Sequence, residues 1–132
     1  MNEAIELHAS ELAAITWRGD QAVISLSPAY IHRSAGTPGA SPGFGCWQSA
    51  TLIIGGASLV SKPARFPAAI SNRSLCLGTR LYDNIIPACG TFEDATELSL
   101  VLVTGEVFVI RGKQFAIRLH EDPHPSIENF DL

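Results

Sequence analysis

Charge is scarce in this chain. Asp, Glu, Lys and Arg make up 17% of its 132 residues, against 46% hydrophobic residues. That balance excludes a disordered chain, because there is ample apolar surface to offset the entropy of ordering. It also leaves few charges to coat a small monomer, and so predicts a surface buried against another subunit or a protein partner, most simply in a homo-oligomeric dimer. The nine Lys and Arg stand singly, without a basic run, in a chain of net charge −4. A nucleic acid partner, which needs a row of cations to displace counterions from phosphates, is therefore not expected. Long apolar runs are missing too. No stretch approaches the roughly 20 apolar residues of a membrane helix, and "MNEAIELHASELAA" places Glu3, Glu6 and Glu11 where a signal peptide needs positive charge. The reading is a cytoplasmic protein without a membrane partner. Cys46, Cys76 and Cys89 are odd in number and form no C-x-x-C pair, so free thiols are expected rather than a disulfide framework or a zinc clip.

A sustained 3.6-residue apolar stripe is absent as well, apart from a short possible turn near "ASELAA", whereas period-two alternation recurs. Around Gly19 and Asp20, a Gly-first pair suited to a type II′ turn, "ELAAITWR" and "QAVISLS" pair so that Trp17 meets Ala22, Ile15 meets Ile24 and Ala13 meets Leu26. Thr16, Ser25 and Ser27 fall on the opposite face. Strands are also read in "SATLIIGGASLV" and "SLCLGT". Farther on, Leu98, Leu100 and Leu102 alternate, as do Phe115, Ile117 and Leu119. A two-residue turn at Thr104 and Gly105 sets Leu102 against Val107. A three-residue turn through Lys113, with Gly112 or a neighbour at positive φ, sets Val109 against Phe115. These turns predict a three-stranded meander, and its second face carries Val101, Val103, Phe108 and Ile110, with Ala116, as a candidate interface. Pro123 and Pro125 are expected to end the last strand.

The fold class is therefore all-β. One domain over 1–132 is expected, an antiparallel sandwich or partly open barrel of about seven to nine strands. Its parts are an N-terminal hairpin over about 11–33, a Gly/Pro-rich loop over 35–45, the meander over about 97–120 and a tail over 121–132.

Candidate binding residues gather before the loop in "YIHRSAGTPGASPGFGCW". If the strand continues past Pro28 without a bulge, Tyr30 and His32 share parity with Ile24 and Leu26 and face the core, while Arg33 points the other way; a bulge there swaps the parity. Tyr30, His32, Arg33, His8 and Trp47 are thus the candidate mouth of a barrel or cleft, open to a small ligand. The bland alternative is a Tyr-x-His pair whose rings cover the core and whose polar atoms bond nearby backbone. His8 and His32, with His120, Glu121, Asp122 and His124, contain the atoms of a metal site, but Pro123 and Pro125 forbid the helix that gives the His120–His124 spacing meaning, and no metal ligand is assigned.

No G-x-S-x-G elbow, G-x-x-x-x-G-K-[ST] loop or G-x-G-x-x-G turn occurs, so no catalytic residue and no cofactor is assigned. Cys46 in "GFGCW" lacks a recognisable His partner, and Asp83, Glu93 and Asp94 are not paired across any visible cleft. The functional reading is a non-catalytic domain for protein interaction or self-association. A small-ligand or metal-binding barrel, and a hydrolase-like enzyme using the same histidines as acid and base, are its rivals.

"LHASELAAITWRGDQAVISL" resembles the opening of several small bacterial all-β proteins with an LHxS-type N-terminal segment. Leu7, His8 and Ser10 match, and Ala9 stands where those proteins carry an acid. The resemblance covers the first quarter of the chain. It implies the hairpin architecture and a role as an immunity or interaction partner in toxin systems, and the Ala9 departure removes the carboxylate partner of His8.

Overall fold

The computed structural model describes residues 2–38, 40–61 and 67–130, the side chains of 61 and 121–130 excepted. It is all-β, with twelve strands: β1 (Asn2–Glu6), β2 (Glu11–Arg18), β3 (Gln21–Ser34), β4 (Gly43–Gly55), β5 (Ser58–Ser61), β6 (Ala68–Leu77), β7 (Arg80–Tyr82), β8 (Ile85–Pro87), β9 (Gly90–Phe92), β10 (Thr96–Leu102), β11 (Val107–Gly112) and β12 (Gln114–Phe130). The count exceeds the expected seven to nine because β1, β7, β8 and β9 are short pieces that periodicity over longer windows passes by. No helix among the described residues is long and apolar enough to cross a membrane.

All pairings are antiparallel, and one path runs β5-β11-β10-β6-β2-β3-β4-β12-β9 without closing. It divides into two layers that meet at one corner, where Glu11 and Leu12 of β2 pair with Ala69 and Ala68 of β6. The long β3 holds the first layer together. Along one edge it pairs with β2 and then with β1, and along the other with β4. Ile24, Leu52 and Ile54 of this layer join Leu98, Leu100, Phe108 and Ile110 of the other in one buried core. The open sandwich follows from apolar inner faces that must cover each other.

The N-terminal hairpin forms as its pattern dictates. Gly19 has φ 62° while Asp20 stays negative, as a type II′ turn requires. Trp17 opposes Ala22 and Ile15 opposes Ile24. Farther from the turn the register shifts between Leu12 and Ala14, so Leu12, not Ala13, opposes Leu26. The extra residue lets the fully buried Leu12 reach the core.

The predicted meander does not form. β11 pairs with β5, and β12 crosses to the other layer, between β4 and β9. Gly112 keeps an ordinary φ, and its approach to Ile54 and Gly55 leaves no room for a Cβ. The β10–β11 turn is also one residue longer than expected. Leu102 N–H donates to Glu106 O at 2.8 Å, with Gly105 at φ 89°, so Leu100 opposes Phe108 and Val101 opposes Val107. Phe108 and Ile110 therefore belong to the core, both at 0% exposure, and not to the outer face with Val101 and Val103. The alternation of Phe115, Ile117 and Leu119 does mark an inward face, directed at Ile54, Leu52 and Ala50. β12 continues through Pro123 and Pro125 to Phe130, with register shifts flanking Pro123. Such irregularities are where a strand tolerates a residue that cannot donate to the ladder.

Candidate functional site

The opening between Leu26 and Ala50 decides where Tyr30, His32 and Arg33 point. Leu26 opposes Ala50 and Ala29 opposes Gln48, so Ser27 and Pro28 together face the single residue Ser49. This bulge swaps the parity of everything after it. Ala29 and Ile31 take over the core face, beside Cys46. Tyr30 and His32 move to the opposite face, contrary to the bulge-free reading, and Arg33 lies on the inward side with Ile31.

Tyr30 and His32 are nonetheless buried, at 5% and 6% exposure. Their neighbours come from both flanking strands. Trp47 opposes Tyr30 on β4 and packs edge-on against it at 4.7 Å between ring centroids and 77°, and His32 meets the same ring at 5.2 Å and 71°. Glu6 opposes Tyr30 on β1, which sets its carboxylate diagonal to His32, with Oε1 3.0 Å from Nε2. Ser10 completes the local order: its hydroxyl donates to Glu6 O at 2.7 Å and accepts from Tyr30 N–H at 3.0 Å. Edge-on ring pairs and a buried polar clamp fix β1 to β3. Trp47 is half-buried, so most of the ring surface this group leaves open is that of Trp47.

His8 is not part of this cluster. It is exposed on the turn after β1, and its backbone N–H donates to Asn84 Oδ1 at 2.8 Å. Asn84 went unnoticed in the sequence, yet it is the one non-glycine at positive φ among the described residues (71°), and it also takes Arg73 Nε–H at 2.8 Å and Leu7 N–H at 2.8 Å. An Asn following Asp is the signal, since its short amide tolerates the left-handed region and bonds nearby backbone. Glu6 was missed as a partner of His32 because strand pairing, not spacing, joins them.

Arg33 forms a separate group. Its guanidinium donates to Glu3 Oε2 at 2.7 Å, to Gln48 Oε1 at 2.9 Å and to Cys46 Sγ. Gln48 in turn donates to His120 O. Burial pushes the Cys46 thiol up; Arg33 lowers it and Glu3 raises it again, and burial prevails. The neutral thiol is thus favoured in the folded state. The associated stability is fully present below the unfolded thiol's value of about 8.5 and is lost as pH rises through the higher folded one. Urea unfolding between about pH 8 and pH 10 is expected to show this decline, and Cys46→Ala to flatten it.

The Gly/Pro loop is shorter than expected, since β4 begins at Gly43. Ser34 Oγ donates to Pro42 O at 2.8 Å, Ser41 Oγ accepts from Thr37 N–H at 3.0 Å, and Asn2 Nδ2 donates to Gly36 O at 2.6 Å. These bonds tie the loop down. His120 lies apart from His32, 2.6 Å from Thr51 Oγ1 through Nε2. Among the described residues no group of three or more His, Cys, Asp or Glu side chains gathers as metal ligands would. The side chains of Glu121, Asp122 and His124 lie outside the described residues.

The outer face of the second layer differs in kind. Val60 (56% exposed), Val103 (65%) and Val107 (44%) stand out on it, with Val101 and Val109 half-buried between them. Its only ion pair among the described residues, Arg111 with Glu97 at 2.9 Å, lies at the end of the hairpin away from the turn. The chain matches no family model, and comparison with curated proteins and solved structures found no match.

Proposed function

We propose that this domain is a non-catalytic interaction module that associates with a second copy of itself through the outer face of β5, β11 and β10. The exposed valines carry this reading, because adjacent aliphatic side chains on a sheet surface lose free energy to water that a partner recovers. A second copy is the fitting occupant. A two-fold contact sets a surface against itself, which charge of one sign opposes and an aliphatic face whose Arg111–Glu97 pair is neutral overall permits. The low charge content points the same way.

The size of the face sets the strength. Six residues along β11 and the spacing of the three strands give about 20 Å by 14 Å, roughly 280 Å² per copy. That is about a third of the 800 Å² per partner in a standard stable interface, so the dimer is weak, with dissociation in the micromolar range. Light scattering on a size-exclusion column is expected to show a mass rising from monomer toward dimer with loading. The double variant Val60→Lys, Val103→Lys should stay monomeric with an unchanged strand spectrum. A wild-type chain that remains monomeric into the high micromolar range would contradict the proposal.

A further inference from the structure

We infer that the outer face of the first layer holds a groove for a short extended zwitterion, a tripeptide in length, with its carboxylate at Arg118 and its ammonium at Glu93. Two adjoining clefts, of about 340 Å³ and 170 Å³, share Ile53, Thr91 and Ala116 and so form one trough along β12 and β9. Arg118 and Cys89 line one end, Gln114 and Glu93 the other. β9, the edge strand beside β12, is only three residues long, and the backbone of Gly90 lines the trough.

The two ends differ in charge. Arg118 is exposed and has no carboxylate partner among the described residues, whose ion pairs are His32–Glu6, Arg33–Glu3 and Arg111–Glu97. At the other end Glu93 Oε2 accepts from Gln114 Nε2 at 2.6 Å, which keeps the carboxylate beside Gln114. Gln114, Ala116 and Arg118 alternate along β12 and therefore share a face. Four residues of strand separate the ends by about 13 Å. An extended tripeptide spans roughly 10–11 Å, and its charged termini reach the rest. Between the ends, Ile53 and Ala116 supply an aliphatic floor and Thr91 an exposed hydroxyl, that of Thr51 being engaged by His120. A few polar groups around an apolar floor fix a ligand's direction.

The probe is trialanine, titrated to millimolar concentration while backbone amide shifts are followed by NMR. Saturable changes are expected at 51–53, 89–91 and 114–118. Arg118→Gln and C-terminal amidation of the peptide should each weaken binding tenfold or more, and Arg118→Gln should no longer distinguish acid from amide. Glu93→Gln and N-acetylation should behave alike at the other end. Both substituted side chains are exposed, so the fold should tolerate the changes. The absence of saturable shifts overturns the inference, as does undiminished binding of the acetylated peptide or an Arg118→Gln variant that discriminates as wild type does. A Val60→Lys, Val103→Lys chain should bind equally well, which separates this test from that of self-association.

Discussion

Phe108→Ala is expected to cost about 3–5 kcal/mol, lowering Tm by on the order of 10–20 °C. The ring is fully buried in the core between the two layers, and it opposes Leu100 on β10. Its loss removes apolar burial and leaves a cavity that two packed layers close only partly. Val109→Ala, one residue along, should cost about 1 kcal/mol or less, because that side chain lies half-buried on the outer face. Thermal melts of the two variants check the contrast. If Val109→Ala proves the costlier change, the turn is one residue shorter and the faces of β11 are exchanged.

Arg33→Met carries the second large effect, about 2–3 kcal/mol of destabilisation. The long apolar substitute keeps the bulk but leaves Gln48 Oε1, on a side chain only 6% exposed, without its guanidinium donor. A buried acceptor stripped of its partner costs about 1–3 kcal/mol, and the contact with Cys46 goes as well. Glu3→Gln should cost less than about 1 kcal/mol, since the ion pair it breaks is a third exposed on the carboxylate side and solvent screens it. Urea titrations of both variants measure the difference. Equal costs would mean that the surface pair, rather than the buried bonds, is what Arg33 supplies.

The hairpin at Gly19 was legible because its two strands differ in polarity between faces: only one register puts Ile15 with Ile24 and leaves Thr16 and Ser25 together outside. The hairpin at Gly105 was not. On β11 both faces are apolar, Val107 and Val109 on one and Phe108 and Ile110 on the other, so a slip of one residue leaves the pattern satisfied. The alternation of Phe115, Ile117 and Leu119 identified an inward face correctly, but alternation says nothing about which strand lies alongside. β4, some 60 residues earlier in the chain, is the partner of β12 rather than the adjacent β11. At the candidate site Pro28 marked the place where parity could swap, and it did. The same shift brought Arg33 inward and paired His32 with Glu6, a contact that depends on β1 lying beside β3.

The valine face and the bulged strand belong to different layers, and this separates the proposed function from the residues that first drew notice. Tyr30, His32 and Trp47 close one end of the first layer; removing a ring there should loosen β1 without touching association.

The most direct test is a dilution series followed by amide NMR. Self-association through the second layer predicts concentration-dependent shifts confined to Val60, Val101, Val103 and the residues around Val107 and Val109, with those of Tyr30, His32 and Trp47 unmoved. Shifts independent of concentration, or a moving set centred on the Tyr30 end of the first layer, would contradict it.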